Sequence, residues 1–512
     1  MAVKEYSIEE LRAEVSCKER FQKLDADRSS VLDRARECSK LTIPSVVTDD
    51  GHTESDDLDT PYQSVGSRLV QNLASKLLLA LVPPNTSFFR LVPAPEVVEL
   101  AEQAEDQGKE KLEAQLVNLE QELLKQIERE ALRVPIFEAL KSLIIGGNSL
   151  LYKVEGSIKA YKLANYVVLR DFKGNPIDII SKEALSRDTL PEDILNQLDG
   201  DGEGQEAGAK VNIYTRAVKK DGKWYEYQEV EDVFVEGSDT TYSKESELPF
   251  IPLRWTSING ENYGRGLVEQ YLGDFRSLEA LYQLLLEASA VMSKVIFGKR
   301  PGGVLDVDDI NEAENGVCIL GDLENEITTL RVDKGGDLQV PMNMVEQLTT
   351  RLEQAFLAAS SAARDSERTT ATEIRYLAAD LEKSLGGVYS ILSLELQRPL
   401  AHLLLKQSKA PVEQLGIELA IVAGIEALGR NVELDKIMQF TQIIQNIGSP
   451  ELVLQKMNID GLISKIGNAL SLDTTDLIKS EEQVQQEQQA AQEQQLLAQG
   501  AGNLVDSATQ PQ

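Results

Sequence analysis

Residues 263–292 read YGRGLVEQYLGDFRSLEALYQLLLEASAVM. Leu267, Tyr271, Phe275, Leu278, Tyr282, Leu285 and Met292 recur with helical spacing. They predict a helix running from Tyr263 for roughly 34 residues, about 50 Å at a rise of about 1.5 Å per residue. Such a rod exceeds the mean globular helix of about 11–12 residues. Downstream, Lys299-Arg300-Pro301-Gly302-Gly303 opens a β-rich, turn-rich insert reaching about Val340. Pro341 then reads as the start of a second helix through Val345, Leu348, Leu352 and Phe356. A pair of helices flanking a small excursion organises this part of the chain.

Toward the C-terminus, a polar break at 360–368 precedes Thr369-Thr370-Ala371-Thr372-Glu373. Threonines there cap a new helix, and the glutamate complements its positive end. This helix is expected to reach Lys406, with a kink at Gly386-Gly387 and a bend at Pro399. Beyond Pro411 the pattern is short helices to Leu477 with one strand at Ile417–Val422, and from Ser480 glutamine and glutamate dominate a flexible tail.

Toward the N-terminus, Ser7–Lys40 is charged and helically periodic. Thr60-Pro61 reads as cap and first-turn proline before the stripe Val65, Leu69, Leu73, Leu77 and Leu81. Glu96–Arg133 places Leu112, Leu116, Leu119, Leu123 and Ile127 on one seam, and Val134-Pro135 interrupts it. After Phe137–Ile145, Gly146-Gly147-Asn148 marks a change to strand-like runs: Leu150–Val154, Ile158–Leu163, Tyr166–Arg170, Ile177–Ile180, Val211–Lys219, Lys223–Val235 and Phe250–Thr256. The acidic, glycine-rich Asp199–Gly208 reads as a surface loop. The fold class is therefore mainly α with a β-rich middle, an α+β chain.

The 512 residues carry 84 acidic and 52 basic side chains, a net charge of −32, which excludes a basic clamp that holds nucleic acid by bulk charge. A hydrophobic content of 42% supports a sizeable core. The scattered Cys17, Cys38 and Cys318 form no disulfide framework and no ligand cluster. The longest apolar run, Leu77–Val82, falls far short of the roughly 18–20 residues that span a bilayer, so a soluble, intracellularly made protein is expected.

Chemistry is sparse. His52 and His402 lie far apart, without an HxxxH or CxxC neighbour, which leaves no metal site or histidine-dependent triad. Gly264-Arg265-Gly266 begins like a dinucleotide fingerprint, but Glu269 occupies the third glycine position. The glycines read instead as flexible entry to the helix. No Walker-type phosphate loop occurs, and the acidic runs Asp56-Asp57-Leu58-Asp59 and Asp306-Val307-Asp308-Asp309 lack EF-hand spacing. Arg364 and Arg368 stand out as cations in the polar break of an acidic chain.

Several blocks resemble the portal, or head-to-tail connector, proteins of short-tailed, podovirus-type bacteriophages. They are Thr60-Pro61-Tyr62-Gln63-Ser64-Val65-Gly66 with Asn72–Leu77, Phe137–Lys141 with Gly147-Asn148, and Tyr263-Gly264-Arg265 with Glu269–Asp274 and Arg276–Glu279. Most specific are Glu367-Arg368 through Thr372–Tyr376, then Leu385–Leu392 and Glu395-Leu396-Gln397.

The resemblance implies a portal fold with wing, stem, clip and crown, in which twelve copies form a ring around a channel. On that map 1–262 is wing (its β-rich part 148–256), 263–297 the descending stem helix, 298–340 the clip and 341–359 the ascending stem helix. Residues 360–368 resemble the tunnel loop, 369–410 the long kinked wing helix, 411–479 the crown, and 480–512 the flexible tail. It implies Arg364, Arg368, Lys334 and Arg351 as DNA-channel candidates, and Leu278, Leu285, Leu352 and Phe356 as stem packing.

No cofactor, metal or catalytic residue is implied. The implied partners are further copies of the chain, the terminase large subunit, major capsid protein, scaffolding protein, tail adaptor and nozzle proteins, internal core or ejection proteins, and double-stranded DNA in transit. No membrane is among them. The implied location is the capsid portal vertex of the virion, after synthesis in the host cytoplasm.

Composition suits a conduit. Duplex DNA carries about one negative charge per 1.7 Å, and tight cationic contacts would stall its sliding. An anionic wall repels it, leaving a few cations as weak guides, and the force must come from a separate motor. The alternative reading is an acidic helical scaffold or adaptor without a DNA channel. A carboxylate-dependent hydrolase is a third class, for which no particular residues speak.

Overall fold

The computed structural model describes residues 6–49, 56–84, 87–104, 108–190, 210–293, 296–302, 327–330, 335–358, 383–408 and 416–421, with isolated positions between them. It divides into two units, one of residues 1–88 and 126–410, the other of 89–125 and 411–512. Residues 89–125, within the span expected as wing, group with the C-terminal part.

In the first unit the N-terminal segment folds as α1 (Ile8–Glu14), α2 (Cys17–Asp27) and α3 (Ser29–Lys40). Ser7 closes a capping box with Glu10, and Ser16 caps α2 through the amide of Glu19. Helix α4 (Val65–Leu81) buries its whole four-residue stripe, from Val65 to Leu81. It starts later than Thr60-Pro61 suggests, because Gln63 supplies the cap: its Oε1 accepts the Gly66 amide at 2.8 Å.

In the second unit, strand β1 (Phe89–Pro93) pairs antiparallel with Ile417–Ile421, where a strand was expected. The seam expected over Glu96–Arg133 is two helices, α5 (Pro95–Ala104) and α6 (Gly108–Arg129). Leu116 and Leu123 of α6 are buried, and Glu120 within it accepts the Leu91 amide at 2.9 Å.

Back in the first unit, α7 (Arg133–Gly146) packs on α4 and ends in left-handed Gly147 (φ 76°). The chain then enters β2 (Asn148–Val154) and β3 (Ser157–Tyr161). Strands β4 (Tyr166–Arg170), β5 (Pro176–Ser186), β6 (Lys210–Lys220), β7 (Lys223–Val230) and β8 (Val233–Phe234) follow in order as one antiparallel sheet. Strand β9 (Thr240–Tyr242) also pairs with β7, and β10 (Phe250–Arg254) returns to pair with β2. Leu11, Cys17, Phe21 and Leu24 of α1 and α2 cover one face of the larger sheet against Val167, Ile180, Tyr214, Val218, Tyr225 and Tyr227. Burial pushes the Cys38 thiol up to about 12, with Glu269 and Glu37 adding to the shift, so this cysteine stays an inert packing group.

The segment from Tyr263 departs most from expectation. Residues 263–266 are not helical, a single turn occupies Leu267–Gln270, and the long helix α8 is Leu272–Met292. The glycines explain the delay. A Cβ on Gly264 would lie 2.5 Å from the Thr256 carbonyl oxygen, one on Gly266 2.5 Å from that of Ile145, and one on Gly147 2.5 Å from the Gly266 nitrogen.

Asn148 closes the junction: its Nδ2 donates to the Gly264 carbonyl at 2.8 Å, and its Oδ1 accepts the Gly264 amide at 2.7 Å, across 116 residues of chain. The glycines are therefore a close-packed joint between α7, β2 and the lead into α8, not a flexible entry. Strand β11 (Ile296–Lys299) pairs with β12 (Ile327–Leu330), and helix α9 spans Gly335–Ala355 with Pro341 inside it. The second helix thus begins before its proline, whose missing N–H costs it one backbone bond near its start.

Gly386 (φ 27°, ψ −91°) precedes α10 (Gly387–Leu392), a π-helical turn covers Ser393–Gln397, and α11 (Arg398–Gln407) completes the first unit. Gly386, of the pair where a kink was expected, leaves helical geometry, and the widened turn Ser393–Gln397 lies just before Pro399. The helix start at Thr369 lies outside the described residues, as do the loop Asp199–Gly208, the crown helices beyond 421 and the glutamine-rich tail.

Replacing Gly147 by alanine tests the joint, since it adds a backbone clash to a left-handed φ. The expected loss is about 1–3 kcal/mol from overpacking alone, read as a lower denaturant midpoint than wild type. An unchanged midpoint would show that the joint is loose.

Candidate functional site: the long helix pair and its anchor

The helices α8 and α9 pack together through aromatic and aliphatic side chains at one end. Phe275, Leu278, Leu352 and Phe356 are fully buried, and the Phe275 and Phe356 rings meet edge to face at 5.8 Å. Of the expected packing residues, Leu278, Leu352 and Phe356 are buried, whereas Leu285 is only half-buried. Further along, cover is lost. Leu284, Leu286 and Val291 on α8 and Val340, Met342 and Met344 on α9 are exposed. From Gln283 to Met292, Glu287 is the sole charge. A helix that is apolar on several faces requires cover on those faces, which a single copy does not supply.

Carboxylates and cations from distant elements fix the covered end. Glu279 accepts the backbone amides of Tyr62 (2.8 Å) and Gln63 (3.3 Å), so a residue of α8 holds the lead into α4. Arg276 bonds Glu37 at 2.6 Å, and Arg68 bonds Glu353 at 2.6 Å. Arg351, one of the channel candidates, pairs with Asp274 and so ties α9 to α8. Arg364, Arg368 and Lys334 lie outside the described residues.

Helix α9 stops in a tight reversal. Leu357 takes a left-handed φ of 57°, and the Ala358 amide reaches back to the Glu353 carbonyl at 2.7 Å. A non-glycine residue there costs about 1 kcal/mol. The Lys76 ammonium, largely buried, donates to the Leu357 carbonyl, placing a cation at the negative end of the helix.

A second anchor lies at the π-helical turn. Glu395 accepts the Arg254 backbone amide and its Nε–H, each at 2.9 Å, and stands 3.9 Å from the Arg170 guanidinium. Burial pushes the Arg170 guanidinium down to about 10, Glu395 opposes that, and Arg254 adds to it. Gln397 and Tyr389 donate to the Leu81 and Ala80 carbonyls at 2.7 and 3.3 Å, which satisfies the end of α4.

Gln63, Lys76, Asn148, Arg254, Glu279 and Glu395 are joint residues that sequence reasoning left without a role. Several stood in the quoted blocks, but only contact across the fold reveals what each meets. Among the described residues no cluster of three or more His, Cys, Asp or Glu side chains could hold a metal, and no helix is long and apolar enough to cross a membrane.

The family described as bacteriophage head to tail connecting protein matches residues 14–478. The portal protein of Escherichia phage T7 is 37% identical over 490 residues, covering 92% of this chain and 90% of the relative. That of Enterobacteria phage SP6 is 32% identical over 476 residues, covering 91% and 90%. Among solved structures, a chain in the neck of an empty gene transfer agent particle covers 77% of this chain and 90% of its own length at 12% identity and a TM-score of 0.38, a remote likeness. With the match running through the helix pair, the glycine joint and both anchors, the chain belongs to the bacteriophage head-to-tail connecting protein family.

Proposed function

We propose that this chain is the portal protein of a tailed phage. Copies of it, twelve on the family pattern, close into a ring at one capsid vertex, through which genomic DNA is packaged and later ejected, and to which the packaging motor and then the tail attach. The observation that carries this reading is the helix pair, whose apolar side chains Leu284, Leu286, Val291, Val340, Met342 and Met344 stand uncovered in a single copy. Neighbouring pairs set side by side cover them in a heterologous, closing arrangement. The role is structural rather than enzymatic, and the protein resides in the virion at the junction of head and tail.

The net charge of −32 supports a passage that does not grip DNA. In this proposal Arg364, Arg368 and Lys334 act as weak transient guides. Arg351, already paired with Asp274, contributes mainly to holding the stem. The further partners are the terminase large subunit, capsid and scaffolding proteins, tail adaptor and nozzle proteins, and internal core or ejection proteins.

Negative-stain images of the purified chain are expected to show closed rings with a central hole; rods or compact globules would favour the scaffold reading. Because Leu286 and Val340 are exposed in the single copy, the double variant Leu286→Glu, Val340→Glu should keep its circular dichroism and lose the ring. Rings that persist in that variant would remove the helix pair from the subunit contact. Charge reversal at Arg364 and Arg368 should slow DNA packaging while leaving rings intact, and packaging at the normal rate would remove these arginines from the channel.

A further inference from the structure

Successive residues of a helix turn by about 100°. On α8 the side chains Phe275, Leu278, Tyr282, Leu285 and Met292 recur at intervals of three, four or seven and are buried or half-buried. On α9, Leu338, Pro341, Val345, Leu348 and Leu352 do the same. These two rows are the seam of the pair.

The exposed apolar side chains fall on either side of it. Leu284 and Val291 of α8, with Val340 and Met344 of α9, stand about 100–140° from the seam in one sense of rotation, and Leu286 and Met342 stand on the other side. In an antiparallel pair one sense of rotation reaches one side of both helices. Glu279 and Glu353, both on the Leu286 side, accordingly reach Gln63 and Arg68 around the start of α4. The pair thus has two different apolar faces, and a heterologous, closing contact uses two different faces of each copy.

Two edges remain. That of α8 carries Arg276, which bonds Glu37 of α3 at 2.6 Å, together with Gln283 and Glu287. That of α9 carries Gln339, Asn343, Gln347, Thr350 and Gln354, each exposed, in a row about 22 Å long at a rise of about 1.5 Å per residue. Along the row Gln339 Nε2 donates to Asn343 Oδ1 at 3.1 Å. None of the five is charged, in a chain of which 27% is charged. Among the described side chains of α9, Glu346, Arg351 and Glu353 are ionic; they lie off this edge, and the last two pair with Asp274 and Arg68.

We infer that in the ring α8 is the outer helix and α9 the inner one, so that the amide row of α9 borders the hole and meets the phosphates of a duplex in transit. The inference rests on the ring reading and names the surface of the helix pair that the DNA passes. Attachment to the rest of the subunit selects the orientation. Helix α3 is fastened to the α8 edge and α4 to the Leu286 side, and Gln354 is exposed even at the covered end, so the α9 edge is the one turned away from both. With neighbours on the two apolar faces, that edge is left to line the opening.

The chemistry of the row fits its passenger. Lysine and arginine hold phosphate by releasing counterions, and carboxylates repel it. Side-chain amides and hydroxyls donate to phosphate oxygens without doing either, and water replaces each bond as it breaks. A duplex sliding along the row exchanges like contacts for like.

The test uses the full chain with Cys318→Ser, whose other cysteines, Cys17 and Cys38, are buried. To it is added Gln347→Cys on the α9 edge or Glu287→Cys on the α8 edge. Once negative stain has shown rings, a small maleimide-gold cluster is attached and located in end-on images. Gold at position 347 should lie at the rim of the hole, and gold at 287 at a larger radius. The reverse order would overturn the inference, as would failure of position 347 to react in intact rings. In packaging complexes stalled with DNA part-way through, p-benzoylphenylalanine at position 347 should cross-link to the DNA on irradiation, and absence of that product would remove the row from the DNA path. Absence of rings before labelling would instead defeat the parent reading.

Discussion

Close approach of backbone to backbone at Gly147, Gly264 and Gly266 is the constraint on which this architecture turns. Any side chain there would strike a carbonyl or amide of the opposing segment at about 2.5 Å, and Asn148 locks the approach with a pair of hydrogen bonds. The same few residues end α7, start β2, receive the Trp255 amide on the Gly147 carbonyl and aim the chain into α8. Sheet, core helix and long helix are therefore oriented at a single point, and a small error there is carried along a helix of 21 residues.

An acidic chain uses part of its excess charge internally. Glu279, Glu395 and Glu229 each accept backbone amides from a distant element, and the last two also bind an arginine. Glu226 lies buried between the hydroxyls of Tyr152 and Tyr242, and burial, partly offset by those hydrogen bonds, raises its carboxyl above the usual range. Such acids act as directional fasteners, since a carboxylate left without its donors would be costly to bury. Asp178 and Glu120 are buried as well, the first on Arg216 and Arg20 and the second on the Leu91 amide.

The long helix pair shows the opposite economy. One end is bound by edge-to-face rings, leucines and ion pairs, while the other leaves apolar residues bare. In the proposed ring, that asymmetry gives each subunit a fixed base and an uncovered length for identical neighbours to bury.

Much of the secondary structure was legible in the sequence. The stripe from Val65 to Leu81, the run of strands from Asn148 to Arg254 and the strand at 417–421 follow from periodicity, which is a local property. The blocks that carried the family resemblance were legible too, and they proved to be joints: Tyr62 and Gln63 with Glu279, Asn148 with Gly264.

What spacing did not disclose was the pairing. The delay of α8 to Leu272, the start of α9 ahead of Pro341 and the grouping of residues 89–125 with the C-terminal part depend on contacts made across much of the chain. By itself the sequence determined which segments are helix or strand and that the molecule is strongly anionic, because those properties depend on near neighbours and simple sums. Tertiary structure alone decided which glycines meet, which carboxylates are enclosed and which leucines stay bare, because each of those depends on what a distant segment brings within a few ångströms.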